Sequence, residues 1–209
     1  MPSADQVHAI IPLSLLEAIR NLDTPVEDGL SELAGEMVAK RLGLSPTVAA
    51  QIARYQEAAR RDGSVPVDEA MSVFRLVDRR PDAELVFADA GRRAARHVVR
   101  STGFPVRTLV ASAPAFVGRR VGLRSAAAAA RRVLGGELRL IGPLAEARAI
   151  SPLSAAVASA GQGCGFFGAA FGELLRAQVG FEGAMLHHHC RARGDAACQW
   201  RGTRTGGYE

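Results

Sequence analysis

Three cysteines stand in the last quarter of this 209-residue chain, at Cys164, Cys190 and Cys198, and the run His187-His188-His189 directly precedes the second. Thiolate and imidazole are ligands that zinc takes four at a time, tetrahedrally, with Zn–S of about 2.3 Å. Seven residues separate Cys190 from Cys198, and Gly194 is the middle one. A hairpin turning at Gly194 sets the two cysteines opposite each other on adjacent strands. Cβ atoms there lie about 4.5–5.5 Å apart, close enough to share one ion. Cys164 is a third candidate, because it opens a helical stretch and a helix N-terminus favours a thiolate. A histidine of the run is the fourth, and strict strand alternation puts His188 on the face of Cys190. The competing reading makes the cysteines small buried hydrophobes and the histidines a solvated strand end.

Elements must hold these residues in place. Apolar spacing and breakers predict helices over 12–22, 26–42 (ending at Gly43), 45–61 (opened by Ser45-Pro46) and 67–79 (stopped before Pro81). Further helices are expected over 82–100, 106–117 and 119–134, the last rich in alanine and ended by Gly135-Gly136. The pattern then changes. Strands are expected at Glu137–Ile141 and Glu146–Ile150, and a helix over 162–178 with Phe167, Phe171, Leu174 and Leu175 on one side. Phe181–Cys190 and Ala197–Arg201 read as two strands joined by a turn at Arg193-Gly194-Asp195. The fold class is α+β. Residues 1–136 form a helical portion packed on a small antiparallel sheet, 137–202 a strand–helix–hairpin core with the metal site, and 203–209 a flexible tail, together one compact domain.

Composition bounds the rest. At 48% hydrophobic residues the chain can bury a substantial core. The net charge is +5, almost all of the basic residues being arginine, with Lys40 the only lysine. Basic charge admits an acidic ligand, a membrane surface or nucleic acid. With aromatics at 5%, however, no stacking platform for single strands is expected, and no nucleic-acid partner. No apolar run approaches the roughly 20 residues of a transmembrane helix, and the N-terminus lacks a secretory pattern. We therefore expect a cytoplasmic protein, where disulfides are rare and an odd trio of cysteines points to metal or reactive thiol.

The segment Cys164-Gly165-Phe166-Phe167-Gly168, then Glu173-Leu174-Leu175, then His187-x-x-Cys190-x7-Cys198, resembles the 4-vinyl reductase (V-four-R) domain family. The turn from Cys190 to Trp200 is its most specific part. The resemblance is strong over about 137–202 and lies only in general layout before that. It implies a ligand-binding fold of the nitric-oxide-sensing and vesicle-tethering type, often dimeric, with a zinc-clamped C-terminal hairpin. In sensor members a helix cysteine and a Glu-x-x-Cys-x7-Cys hairpin hold the zinc. The resemblance therefore implies Cys164, Cys190 and Cys198 as ligands, with His187 in the place of the glutamate. A stand-alone branch of the family belongs to bacteriochlorophyll synthesis, and its traditional name implies reduction of a vinyl group.

A vinyl reductase needs a source of hydride or electrons. Gly161-x-Gly163-x-Gly165 lacks the strand–turn–helix context and the third glycine spacing of a dinucleotide loop. No four cysteines remain for an iron–sulfur centre. With four protein ligands the zinc site is closed and structural. The expected function is that of a tetrapyrrole-binding accessory or carrier protein, presenting a porphyrin or chlorophyll precursor to an enzyme such as magnesium chelatase. A genuine 8-vinyl reductase and a small-aromatic sensor are the alternatives, and a homodimer is expected. Candidate ligand-binding residues are Phe104, Phe116, Phe166, Phe167 and Phe171, with His97 as an axial ligand. Arg92, Arg93 and Arg96 are candidate partners for propionates. Each also has a plainer reading as core, as a surface histidine or as a solvated helix face.

Overall fold

The computed structural model describes residues 5–24, 45–101, 115–160 and 163–203. The expected helix over 26–42, most of that over 106–117, and Phe104 lie outside the described residues. A short strand β1 (Gln6–His8) leads into α1 (Ile10–Asp23). Pro12 sits in the first turn of α1, where its missing N–H leaves no helical bond unmade. Helix α2 (Pro46–Arg60) has proline at its first position, and the Ser45 side chain accepts from the Val48 N–H at 3.3 Å. Strand β2 (Ser64–Pro66) returns antiparallel to β1, with Val7 opposite Val65. Helices α3 (Val67–Asp78) and α4 (Ala83–Ser101) follow, separated at Pro81.

Helix α5 (Ala115–Ala129) runs without interruption into a wider π turn, Ala130–Leu134. This corrects the expected break near Gly118, since one glycine inside an alanine-rich helix is tolerated. Gly135, at φ +59°, then ends it. Strands β3 (Gly136–Ile141) and β4 (Leu144–Ala149) form a hairpin, β4 starting two residues earlier than expected. Helix α6 (Pro152–Ala160) was not legible in the pattern; the Ser151 hydroxyl caps it by accepting from the Ser154 N–H at 3.1 Å. Helix α7 (Cys164–Val179) stops at Gly180, φ +60°. The strand expected over 181–190 contracts to β5 (Leu186–His189), because the Phe181 ring turns into the core. Strand β6 (Cys198–Thr203) reaches one residue into the expected tail. The pair β1–β2 carried no alternation long enough to read.

The architecture is mixed, helix-rich, with a four-stranded antiparallel sheet of order β3-β4-β6-β5 and the two-stranded β1-β2. One sheet face carries Leu138, Ala145, Ala147, Ala149, Cys198 and Trp200, all buried. Helix α7 lies on that face. Phe167 and Phe171 meet the Trp200 ring at 6.4 and 5.5 Å between centroids. The other side of α7 packs on α4, the most extensive contact between elements, and α4 in turn covers α1. Gly91 permits this crossing, since a methyl group there would lie 2.2 Å from the Phe166 carbonyl oxygen. The same apolar core runs through the helical portion and the strand–helix–hairpin portion. Among the described residues no helix is long and apolar enough to cross a membrane.

Candidate metal centre

Four elements converge at one corner. Cys164 is the first residue of α7, and Gly163 before it leaves room for the Val157 side chain of α6. Cys198 opens β6 on its inner face. Cys190 follows β5 and begins a single 3-10 turn, Arg191–Arg193, closed by Gly194 at φ +92°. This turn is heavily braced. The Asp195 carboxylate accepts the Cys190 N–H at 2.7 Å, and the Cys190 carbonyl accepts from Arg193 and Asp195 at 2.9 and 3.2 Å. The Arg193 guanidinium donates to the His188 carbonyl at 2.9 Å, and that of Arg191 to the Ala196 carbonyl at 3.1 Å.

The histidine is selected by a bulge. His187 pairs with Trp200, but the next pair is His189 with Gln199, so His188 is an extra residue on β5. The bulge shifts the alternation by one. His187 therefore points to the face of Trp200, Cys198 and Cys190, while His188 is exposed. Strict alternation had favoured His188, and the irregular pairing is why that preference fails. The His187 ring stacks on the Trp200 indole, with centroids 4.8 Å apart and planes 10° from parallel.

The four ligand atoms of Cys164, His187, Cys190 and Cys198 lie within 4.8 Å of one another. The Cys164 sulfur is 3.9 Å from that of Cys190 and 3.7 Å from that of Cys198. A tetrahedron with metal–sulfur bonds of about 2.3 Å has edges of about 3.8 Å. All three thiols are buried. Burial, and then the neighbouring sulfurs, push the Cys164 thiol well above its ordinary pKa. Burial also raises Cys198, although the Arg191 backbone N–H donating to its sulfur acts the other way. Burial, and then the Arg193 charge, lower the His187 pKa, which keeps the imidazole neutral and able to coordinate.

His187 Nε2 is the one buried side-chain nitrogen or oxygen among the described residues that has no hydrogen-bond partner. A buried polar atom left unpaired costs roughly 1–3 kcal/mol, so such an atom beside three thiols suits a metal ligand. This group can hold a metal ion. Four protein donors would complete a tetrahedral shell around such an ion, and they come from α7, β5, the turn after it and β6.

The other candidates are not gathered with it. Phe166, Phe167 and Phe171 are fully buried, packed among Phe74, Phe87 and Trp200. His97 lies in the α1–α4 contact with its Nε2 2.9 Å from a Glu17 carboxylate oxygen. Arg93 pairs with Asp89 at 2.6 Å and Arg96 with Glu173 at 2.9 Å, while Arg92 is exposed. Phe116 is 72% exposed on α5. Sequence reasoning missed Trp200 as the plate under the histidine and Asp195 as the brace of the turn. For Asp195, the Gly194-Asp195 turn was the available signal. Compared with known protein families, with curated proteins and with solved structures, the chain finds no match.

Proposed function

We propose that this chain is a tetrapyrrole-binding accessory protein of bacteriochlorophyll synthesis whose C-terminal hairpin is clamped by structural zinc. In this reading it presents a porphyrin or chlorophyllide precursor to an enzyme such as magnesium chelatase. The observation that carries the zinc is the unpartnered His187 Nε2 beside three buried thiols. Three soft sulfurs and one imidazole suit zinc better than the oxygen-seeking magnesium or calcium. Bound zinc supplies the positive charge that lets these thiols ionise in a buried corner, and so fastens the hairpin to α7.

The tetrapyrrole rests on the resemblance to the V-four-R family and to its stand-alone bacteriochlorophyll member, BchJ. The ligand-binding fold type, the homodimer and the cytoplasmic location belong to the same reading. The family's traditional vinyl-reductase activity is the alternative. Against it, Gly163 and Gly165 sit at the junction of α6 and α7, where no strand precedes them to build a dinucleotide loop.

The test is an absorbance titration of the zinc-loaded protein with protoporphyrin and with its magnesium form. A shifted Soret band without consumption of NADPH is the expected result. Absence of any shift overturns the tetrapyrrole reading. Turnover of the divinyl substrate by the purified chain replaces the carrier with a reductase.

A further inference from the structure

Helix α5, the edge strand β3 and the turn Gly142-Pro143 line an open surface groove of about 740 Å³. Its apolar lining comes from Phe116, Leu123 and Leu140, and Arg119 and Arg120 line it beside them. A second hollow of about 400 Å³ shares Leu123 and Leu140 with it and adds Arg124, Arg131 and Arg139. Phe116, Arg119, Arg120, Leu123 and Ala127 fall at helical spacing on one side of α5, so one face of a single helix supplies most of the surface.

Charge decides what this face accepts. Among the described residues, five arginines line the two hollows and no carboxylate does. Of these five arginines, only Arg139 has an acidic partner among the described residues, Glu137 at 3.9 Å. Arg119 donates to the Gly142 carbonyl at 3.4 Å, a neutral acceptor. The outer face of the sheet differs, since there Glu137 and Glu146 alternate with Arg148, Arg201 and Arg139, the last shared with the second hollow. A second copy of the α5 face is disfavoured by repulsion between like charges. The groove falls in the roughly 300–1,000 Å³ range of small-molecule sites. The exposed Phe116 ring beside arginines suits a flat apolar body with anionic edges.

We infer that the α5–β3 groove is the ligand site, taking a flat aromatic dicarboxylate against Phe116 and pairing its carboxylates with Arg119 and Arg120. Naming the ligand a tetrapyrrole rests on the function proposed above; the groove itself rests on shape and charge. It relocates binding from the buried Phe166, Phe167 and Phe171 cluster to the surface of α5.

The experiment is a Soret titration of the full chain with protoporphyrin, comparing the wild type with the double variant Arg119→Glu/Arg120→Glu, with Phe116→Ala, and with Arg148→Glu as a control. The double variant should weaken binding at least about tenfold, and Phe116→Ala a few-fold, with circular dichroism unchanged. The Arg148→Glu protein should bind as the wild type does. Equal affinity across all four proteins overturns the groove and leaves the tetrapyrrole reading standing. If the wild type binds no tetrapyrrole, that reading falls alone, and anilinonaphthalene sulfonate, an anionic aromatic, then probes the groove. Fluorescence lost in the double variant upholds an anionic-aromatic site there. Fluorescence absent from the wild type, or unchanged in the variant, overturns it.

Discussion

The chain buries ionisable groups in two kinds of place. In the helical layers they are satisfied from within. Glu17 takes His97 at 2.9 Å on one oxygen and Gln56 at 3.3 Å on the other. Glu173 accepts from Arg96 and twice from Arg176, at 2.9, 2.9 and 2.7 Å. At the hairpin corner the groups face one another and stay unsatisfied: thiols raised by burial, and a ring nitrogen with no partner. The difference teaches where a ligand is needed. A cluster closed by its own hydrogen bonds gains nothing from a guest, whereas a cluster of donors around an orphaned atom gains a great deal. His97 illustrates the first case and His187 the second, although the two look alike as residues in a sequence.

The largest expected effect breaks the second cluster. Cys198→Ala should abolish tight metal binding and cost on the order of 4 kcal/mol, hence roughly 10 °C in melting temperature. His187→Ala should lower metal affinity while retaining three thiols, so chelator removes the ion from it at lower concentration than from the wild type. Metal analysis and thermal melts check both. Unchanged metal content together with an unchanged melt in Cys198→Ala would sink the centre as a metal site. The same proteins stripped of metal should melt alike, because the clamp is then absent from all of them.

The next effect separates stability from metal. Gly91→Ala forces a methyl group to 2.2 Å from the Phe166 carbonyl oxygen where α4 crosses α7. Overpacking of this kind costs about 1–3 kcal/mol. Metal stoichiometry should remain that of the wild type, since the four ligands are untouched. Loss of metal in this variant would mean that the corner depends on the helix crossing, and the two regions would no longer be independent.

Much of this arrangement was legible beforehand, for reasons that differ by element. The breakers Ser45-Pro46, Pro81 and Gly135-Gly136 bound helices because each acts locally, through a cap, a missing N–H or a left-handed turn. The C-x7-C spacing marked the corner because a turn around Gly194 is also local. Helix α6 was not legible, since Ala155, Ala156 and Ala158 leave Leu153 and Val157 as a thin apolar stripe. The bulge at His188 was hidden for a deeper reason. Three identical residues carry no register, and only pairing with Trp200 and Gln199 on β6 sets which one turns inward. Phe166, Phe167 and Phe171 read more readily as core than as pocket, and stayed open as pocket candidates because an aromatic face does not say what covers it.

A smaller effect tests the satisfied cluster by pH. Burial acts to raise the Glu173 pKa, but the bonds from Arg176 and Arg96 outweigh it and hold the carboxyl below its usual range. The native state then binds fewer protons at Glu173 than the unfolded state does around the ordinary glutamate pKa of about 4.3. The stabilisation is therefore present above that pH and is lost as pH falls through the lowered value. Arg96 and Arg176 are about half exposed, so screening reduces the pair to about 1 kcal/mol. Glu173→Gln should lower stability at pH 7 by that amount and flatten the acid side of the stability curve. Measured at fixed metal saturation, an acid slope identical to the wild type would remove Glu173 from the account.

The smallest effect is the sharpest on register. His188 is the exposed extra residue of the bulge, so His188→Ala removes a solvated ring and no ligand. Its stability should stay within about 0.5 kcal/mol of the wild type, with metal affinity unchanged. His187→Ala alters the same strand one residue earlier and should weaken the metal. If the strand instead paired without the bulge, His188 would share the face of Cys190 and the two variants would exchange behaviour. Metal competition with a chromogenic chelator on the two proteins side by side therefore reads the strand register directly, because only the inward histidine can change the ion's affinity.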